Sequence, residues 1–397
     1  MSETRMLKAG VGASTEKSTI PAALAAARQA MDRAGIVQAD FALVFATIPH
    51  AALYPRMLER IAETTRTRHV VGCSAMGILT SDGEVEDEPA IAVLVVASDT
   101  VIATPFLVRS LRRQGGLAAR RMARLLAASR SPQDFLMVFP DTLTLQAGPF
   151  LEGLGRSWPG VQTVGGGASE NGSQMHTYQW CGTEVASDAV CGALFSGALS
   201  RAIGHSVACQ PIGEPLLVTR AEGNVIFELG GRPAYEVFTH LIHEWALPDL
   251  RTAAGLFFIG FPCHPSHTEL APGEYYVRNI HGVDPNQGSL LVGAPVREGQ
   301  VVSFTVRDPV RAREEMDNMV ADLAKVCSGR PPSFALYFNC CGRGTSLYGR
   351  PNVDLDIIRR HFQDVPIIGF FTYAEIGPSG EGSCLHNYTG VLTLVGE

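Results

Sequence analysis

The segment FALYF at residues 334–338 has two echoes, FALVF at 41–45 and FLMVF at 135–139. Each is too short for a buried helix and too uniformly apolar for a half-exposed strand. Each therefore reads as a central strand covered on both faces. The surroundings repeat as well. The first copy has a helical stretch, PAALAAARQAMDRAG (21–35), before its strand. A loop then leads to Pro55, the helical RMLERIAE (56–63), HVVGCSAMG (69–77) and the strand AIAVLVVA (90–97). The second runs through LAARRMARLLAAS (117–129), its strand, a loop to Pro149, FLEGLG (150–155), TVGGGASENG (163–172) and AVCGALF (189–195). The third runs through PVRAREEMDNMVADLAKV (309–326), its strand, a loop to Pro351, VDLDIIRRHF (353–362), VPIIGFFTYAEIG (365–377) and TGVLTLV (389–395). Proline at a first helical turn is tolerated because its missing N–H would be unpaired anyway.

The spacings agree. From the last Phe of the strand to the loop proline is ten, ten and thirteen residues. From that Phe to the turn glycines Gly72, Gly165 and Gly369 is 27, 26 and 31. Only the first loop of the third copy is longer, and it carries NCCGRG (339–344). A degraded fourth copy is expected over about 230–306, with the helix PAYEVFTHLIHEW, the strand GLFFIG, then YYVRNI and SLLVGA, and without a second helix. Paired strands around Asp99, Gly223-Asn224 and Gly299 read as hairpins. The expected fold class is α/β: mixed, largely antiparallel sheets covered by helices, in two related halves built from repeated α-β-α-β-β units. The Pro- and Gly-containing CQPIGEP (209–215) marks the join, giving halves 1–215 and 216–397. Full units are expected at about 18–110, 115–210 and 309–396. Phe45, Phe139 and Phe338 should occupy equivalent sites.

Composition sets outer limits. The chain has 397 residues, 46% hydrophobic and 18% charged, with net charge −7. That is a normal globular mix. Nothing marks a nucleic-acid binder, which needs a basic stripe against phosphate. The one arginine-rich stretch, 109–130, interleaves with Leu117, Met122, Leu125 and Leu126 at helical spacing and reads as a solvated helix face. The N-terminal MSETRMLKAG lacks an apolar signal region, and the run near PAIAVLVVAS is too short to cross a bilayer, so no membrane insertion is expected. Nine cysteines without framework spacing read as reduced thiols in a cytoplasmic protein.

Several residues could carry chemistry. Gly72, Cys73 and Ser74 lie in a strand-end turn that either aims N–H groups at an anion or is simply tight. Cys73-Ser74 does not complete a G-x-S-x-G elbow, because Met76 stands where glycine is needed. A catalytic thiol would need a base such as His50 or His69. FPCHPSH (261–267) offers Cys263, His264 and His267, an incomplete zinc set. In the third copy, Phe334, Leu336, Phe338 and Cys340 should share one strand face, with Tyr337, Asn339 and Cys341 on the other. Cys340 and Cys341 are expected to be reduced and metal-free, in the wall of a pocket. Arg343 would bind a carboxylate and Glu375 an ammonium, with His386, Asn387 and Thr389 nearby; the alternative is an internal Arg–Glu pair pinning two loops.

HVVGCSAMGIL (69–79) and EVEDEPAIAVLVVA (84–97) are similar to the N-terminal FIST domain. YYVRNIHGVDPNQGSLLVGAPVREGQVVSFTVRD (275–308), NCCGRG, IIGFFTYAEIGP (367–378) and HNYTGVLTL (386–394) resemble the C-terminal FIST domain. The resemblance covers nearly the whole chain. It implies an intracellular sensory module for a small ligand, with amino acids suggested. Such modules occur alone, joined to output domains, or in a eukaryotic F-box protein. One bacterial branch binds haem and responds to nitric oxide. This sequence departs from the family where Tyr373-Ala374, not glycine, precede Glu375-Ile376. No output domain follows, so the protein is expected to act alone or to pass its signal to a protein partner. No cofactor is expected; haem belongs to the alternative of a gas sensor. Two further alternatives are a cysteine-dependent hydrolase using Cys73, Cys340 or Cys341, and a protein-interaction scaffold.

Overall fold

The computed structural model describes residues 6–126, 131–264, 266–271, 273–379 and 382–397. The tail of the helical stretch expected over 117–129 lies outside these residues. The three repeats share one plan. Each has an opening strand (Lys8–Ser14, Val101–Arg109, Ser200–Val207) and a first helix (Thr19–Ala34, Leu111–Leu125, Pro309–Val326). A central strand follows (Phe41–Thr47, Phe135–Pro140, Phe334–Cys340), then a second helix (Tyr54–Thr65, Ala147–Ser157, Val353–His361). A parallel strand comes next (Val70–Ala75, Gln162–Gly166, Ile367–Thr372), then a hairpin, and last a return strand (Ile91–Ala97, Ala189–Gly197, Thr389–Gly396). Within each repeat the central strand pairs parallel with the strand after the second helix and antiparallel with the return strand. The helix makes the parallel pairing possible, since parallel neighbours require a crossover.

The three central strands are fully buried and lie inside their sheets, as their apolar runs require. Alternate residues face opposite ways. Phe41, Leu43 and Phe45 join Phe135, Met137 and Phe139, and Phe334, Leu336 and Phe338, in one shared core. Their neighbours face outward under the repeat's own helices: Ala42 and Val44, Leu136 and Val138, Ala335 and Tyr337. Phe45, Phe139 and Phe338 are equivalent and meet edge to face, with ring centroids 5.2, 5.6 and 6.4 Å apart. Gly72, Gly165 and Gly369 are equivalent too. A Cβ on them would fall 1.7, 1.9 and 1.6 Å from the carbonyl oxygen of Val44, Val138 and Tyr337. Glycine here lets the parallel strand approach the central one.

The hairpins leave their own repeats. That of repeat one (Gly77–Thr80, Gly83–Glu86) extends the sheet of repeat three. That of repeat two (Gln179–Cys181, Glu184–Ala186) extends the sheet of repeat one, and that of repeat three (Glu375–Ser379, Gly382–His386) extends the sheet of repeat two. Each six-stranded sheet is thus completed by a neighbour, in cyclic order.

The chain forms two compact units. One holds Met1–His205, Met316–Leu385 and Thr389–Glu397; the other holds Ser206–Glu315 with His386–Tyr388. This division departs from the expected halves at 215/216, because the third repeat shares sheets with the first two. The second unit has a seven-stranded sheet with Ala234–Glu244 and Leu250–Leu256 as helices and its own apolar core. The Asp249 carboxylate caps the shorter helix, accepting from Thr252 N at 2.7 Å. Its strand Phe257–Pro262 pairs antiparallel with both neighbours, Tyr275–Asp284 and Val301–Arg307. The fourth copy therefore departs from the common plan: without a second helix, the chain can only turn back antiparallel. No helix among the described residues is long and apolar enough to cross a membrane.

Candidate functional site

The third repeat's long loop leaves its central strand at Cys340. Gly344 turns it at φ 54°, where a Cβ would lie 2.7 Å from the Phe371 ring and 2.9 Å from the Glu86 carboxylate. Arg343 points inward and is fully buried. Its Nε and Nη2 donate to the two oxygens of Asp354, each at 2.9 Å, and Nη2 also donates to the Tyr348 hydroxyl at 2.9 Å. Asp354 further accepts from Tyr337 Oη at 2.9 Å, Asn339 Nδ2 at 3.2 Å and Tyr348 Oη at 2.8 Å. Burial opposes ionisation of Asp354, but the guanidinium outweighs it and holds the carboxyl below its ordinary value. Burial likewise pushes the Tyr337 phenol well up. The role expected of Arg343, an anchor for a ligand carboxylate, is corrected here: its carboxylate is the chain's own Asp354.

The incoming hairpin of repeat one completes the clamp. Thr345 donates through N and Oγ1 to Glu86 Oε1 at 3.0 and 2.8 Å. Glu84 N donates to Asn352 Oδ1 at 2.8 Å, and Asn352 N donates back to the Glu84 carboxylate. Desolvation raises the Glu84 carboxyl to about 7, against the Asn352 hydrogen bond, with Asp354, Glu86 and Asp356 adding to the rise.

Glu375 is fully buried. Its Oε2 accepts from Thr389 N at 3.1 Å, and Oε1 has no hydrogen-bond partner. Burial drives its carboxyl well above the ordinary range. An ammonium anchor must be ionised, and burial works against that at Glu375. The Cys340 thiol hydrogen-bonds to it. The Cys341 thiol is pushed well up, first by burial and then by Cys340 and Glu375. Thr389 belongs to the same compact unit, whereas His386 and Asn387 are grouped with the second. There Asn387 Oδ1 accepts from Arg278 Nη1 at 3.2 Å, and the Tyr388 ring packs 4.4 Å from Phe258. His386 is buried.

The Gly72-Cys73-Ser74 turn is also internal. Gly72 serves strand approach. Cys73 sits in the shared core, its thiol raised well above normal by burial and then by Cys191. Ser74 Oγ donates to Ser169 O at 3.0 Å and accepts from Tyr178 N at 3.0 Å. Neither proposed base reaches Cys73: His50 Nδ1 faces Thr19 Oγ1 at 3.0 Å, and His69 Nδ1 faces Asp40 O at 3.2 Å. Together with Ser74, the strand ends of all three repeats are tied to one another. Ser169 Oγ donates to Phe371 O and accepts from Met76 N at 2.9 Å. Thr372 Oγ1 donates to Gly167 O at 2.7 Å, and Tyr373 Oη donates to Glu170 O. In the second unit the His264 and His267 rings lie 5.4 Å apart, and His267 Nδ1 is 3.5 Å from Glu274. Among the described residues no group of three His, Cys, Asp or Glu is placed to hold a metal. All nine cysteines are free thiols.

Sequence reading missed Asp354, Ser169 and the Glu84–Glu86 hairpin. Asp354 carries a signal, an acid in the first turn of the second helix, but such acids ordinarily face the helix dipole in solvent.

The repeats define an α/β fold, and the family models they match are of domains recognised as sensory and ligand-binding. The chain belongs to the FIST family: residues 40–232 match the FIST N domain and residues 234–378 the FIST C domain. An uncharacterized protein of Mycobacterium tuberculosis is 28% identical over 388 residues, covering 98% of this chain and 99% of its own length. An uncharacterized protein of Mycobacterium bovis is 29% identical over 390 residues, covering 98% of each chain. One of Methanocaldococcus jannaschii is 22% identical over 312 residues, 75% of this chain and 58% of that protein. Among solved structures, a cyanuric acid hydrolase described as an evolutionary innovation by structural concatenation aligns over 99% of this chain and all of its own, at 9% identity and a TM-score of 0.39. That likeness carries no argument about activity.

Proposed function

We propose that this protein is a sensory ligand-binding protein for an amino acid or similar small anionic metabolite, which passes its ligand state to a protein partner. The observation that carries the reading is the match of both FIST domains over residues 40–378. The chemistry of the strand ends supports binding over catalysis. The thiols of Cys73 and Cys341 are raised by burial, and a nucleophilic cysteine needs the opposite shift. The Ser74 hydroxyl is already donated to a backbone carbonyl. A thermal-shift screen against amino acids and small organic acids tests the reading. A ligand at a hundred times its Kd adds about 2.7 kcal/mol of stability. Absence of any shift at millimolar concentrations of these compounds would sink it.

A further inference from the structure

In the first compact unit, a cleft of about 330 Å³ opens between the strand Ser200–Val207, the end of the helix Pro309–Val326 and the end of the strand Thr389–Gly396. We infer that it is a binding site for a small organic carboxylate with an apolar body. The assignment deepens the ligand-binding reading, on which it rests, by giving the ligand a location.

Two guanidinium groups line the cleft, and no Asp or Glu among the described residues does. Arg201 is held in a cradle of neutral oxygens. Its Nε donates to Gln162 Oε1 at 3.0 Å, Nη1 to Gln133 O at 2.6 Å and Gln133 Oε1 at 3.1 Å, and Nη2 to Pro132 O at 3.0 Å. Four acceptors fix the plane of the group without cancelling its charge. Desolvation works against that charge, and the neighbouring Asp134 works for it. Asp134 does not line the cleft, and its Oδ2 accepts from Ser131 N at 2.8 Å. These four bonds use at most four of the five guanidinium N–H groups, so at least one on Nη2 is left for an anion in the cleft. Arg330, on the other wall, is exposed and makes no ion pair with a described residue. The carbonyl end of the helix Pro309–Val326 opposes an anion, but with only about half a charge against two. Leu199, Val326 and Leu394 supply the apolar wall. The volume is at the small end of ligand sites, which suits a compact acid.

Cys327 also lines the cleft and reports on it. The full-length protein is alkylated briefly with iodoacetate or with iodoacetamide, and modification of Cys327 is read by peptide mass spectrometry. The expected result is an iodoacetate-to-iodoacetamide rate ratio at Cys327 at least about threefold above that of free cysteine in the same buffer. Benzoate should protect Cys327 and neutral benzamide should not. Arg330→Ala, at an exposed position that leaves folding intact, should return the ratio to the free-cysteine value. A wild-type ratio equal to that of free cysteine overturns the site, as does equal protection by benzoate and benzamide. Inorganic phosphate protecting as well as benzoate overturns the assignment to a carboxylate with an apolar body. The two readings fail separately. A Cys327 anion preference with no hit in the thermal-shift screen removes the metabolite-sensing reading and keeps the site. A hit whose shift is unchanged in Arg330→Ala keeps the sensing reading and removes this location.

Discussion

The first and third repeats face the same mechanical problem and solve it differently. In both, the first turn of the second helix must be tied back to the end of the central strand. In repeat one, Tyr54 does this with a neutral group, its hydroxyl lying 3.1 Å from Ala46 O and 3.0 Å from Thr47 O. In repeat three the loop is three residues longer, and the tie is the buried Arg343–Asp354 pair with Tyr337, Asn339 and Tyr348 around it. The extra length accommodates the short helix Gly344–Tyr348, whose Thr345 meets the Glu86 carboxylate of the incoming hairpin, while Glu84 meets Asn352 just beyond the helix. The difference shows that a charged cluster inserted between homologous elements can be a fastening. Its polarity answers the acids that the neighbouring repeat delivers.

The comparison predicts unequal costs. Asp354→Ala leaves a buried guanidinium uncompensated and should destabilise the protein by about 3–5 kcal/mol, read as a lower urea midpoint. An unchanged midpoint would mean that the clamp carries no strain-bearing load. The paired replacement Arg343→Met with Asp354→Leu should recover a large part of that loss, because a buried pair can be exchanged for apolar groups of similar volume. No recovery would assign the energy to Tyr337, Asn339 and Tyr348 instead.

Next in size is a pH effect at the landed hairpin. The folded-state carboxyl of Glu84 is raised to about 7 from an ordinary 4.5, so the folded state holds a proton that the unfolded chain has released. This contribution is complete below about pH 4.5 and is lost as pH rises through 7. Allowing for residual solvent, it amounts to roughly 2–3 kcal/mol between pH 5 and 8. Glu84→Gln should flatten that slope in melting curves; a slope that survives the substitution assigns it to another group. The smallest effect is expected in repeat one. Tyr54→Phe removes a neutral hydroxyl and should cost about 1 kcal/mol in the same urea assay. A loss as large as that of Asp354→Ala would erase the distinction between the two ties.

Much of the first compact unit could be read from the chain because its signals are local. Uniform apolarity of FALVF, FLMVF and FALYF stated double-sided burial, and alternation correctly placed Tyr337 and Asn339 on the face where they meet Asp354. The destination of each hairpin was not local. Gly77–Glu86 has the same hairpin pattern whether it returns to its own sheet or crosses to another, so the exchange left no trace in sequence. The site suffered similarly. Arg343 was matched with Glu375 because both lie in the third repeat, whereas the loop's path carries it to Asp354, eleven residues on. Glu375 was read as an ionised anchor, and burial disfavours its charge. In the fourth copy the missing second helix removes the crossover, and its central strand pairs antiparallel on both sides.

The cyclic hairpin exchange also sets a timetable for synthesis. The sheet of repeat two has its own strands once residue 197 is made, but the edge at Gln162–Gly166 is closed only by Glu375–Ser379. At ribosomal speeds of about 5–20 residues per second, that edge waits on the order of ten to forty seconds. Throughout that interval the nascent chain presents an unpaired strand edge, the kind of template that recruits other chains. The same wiring that locks the finished protein therefore makes its birth the moment of greatest exposure.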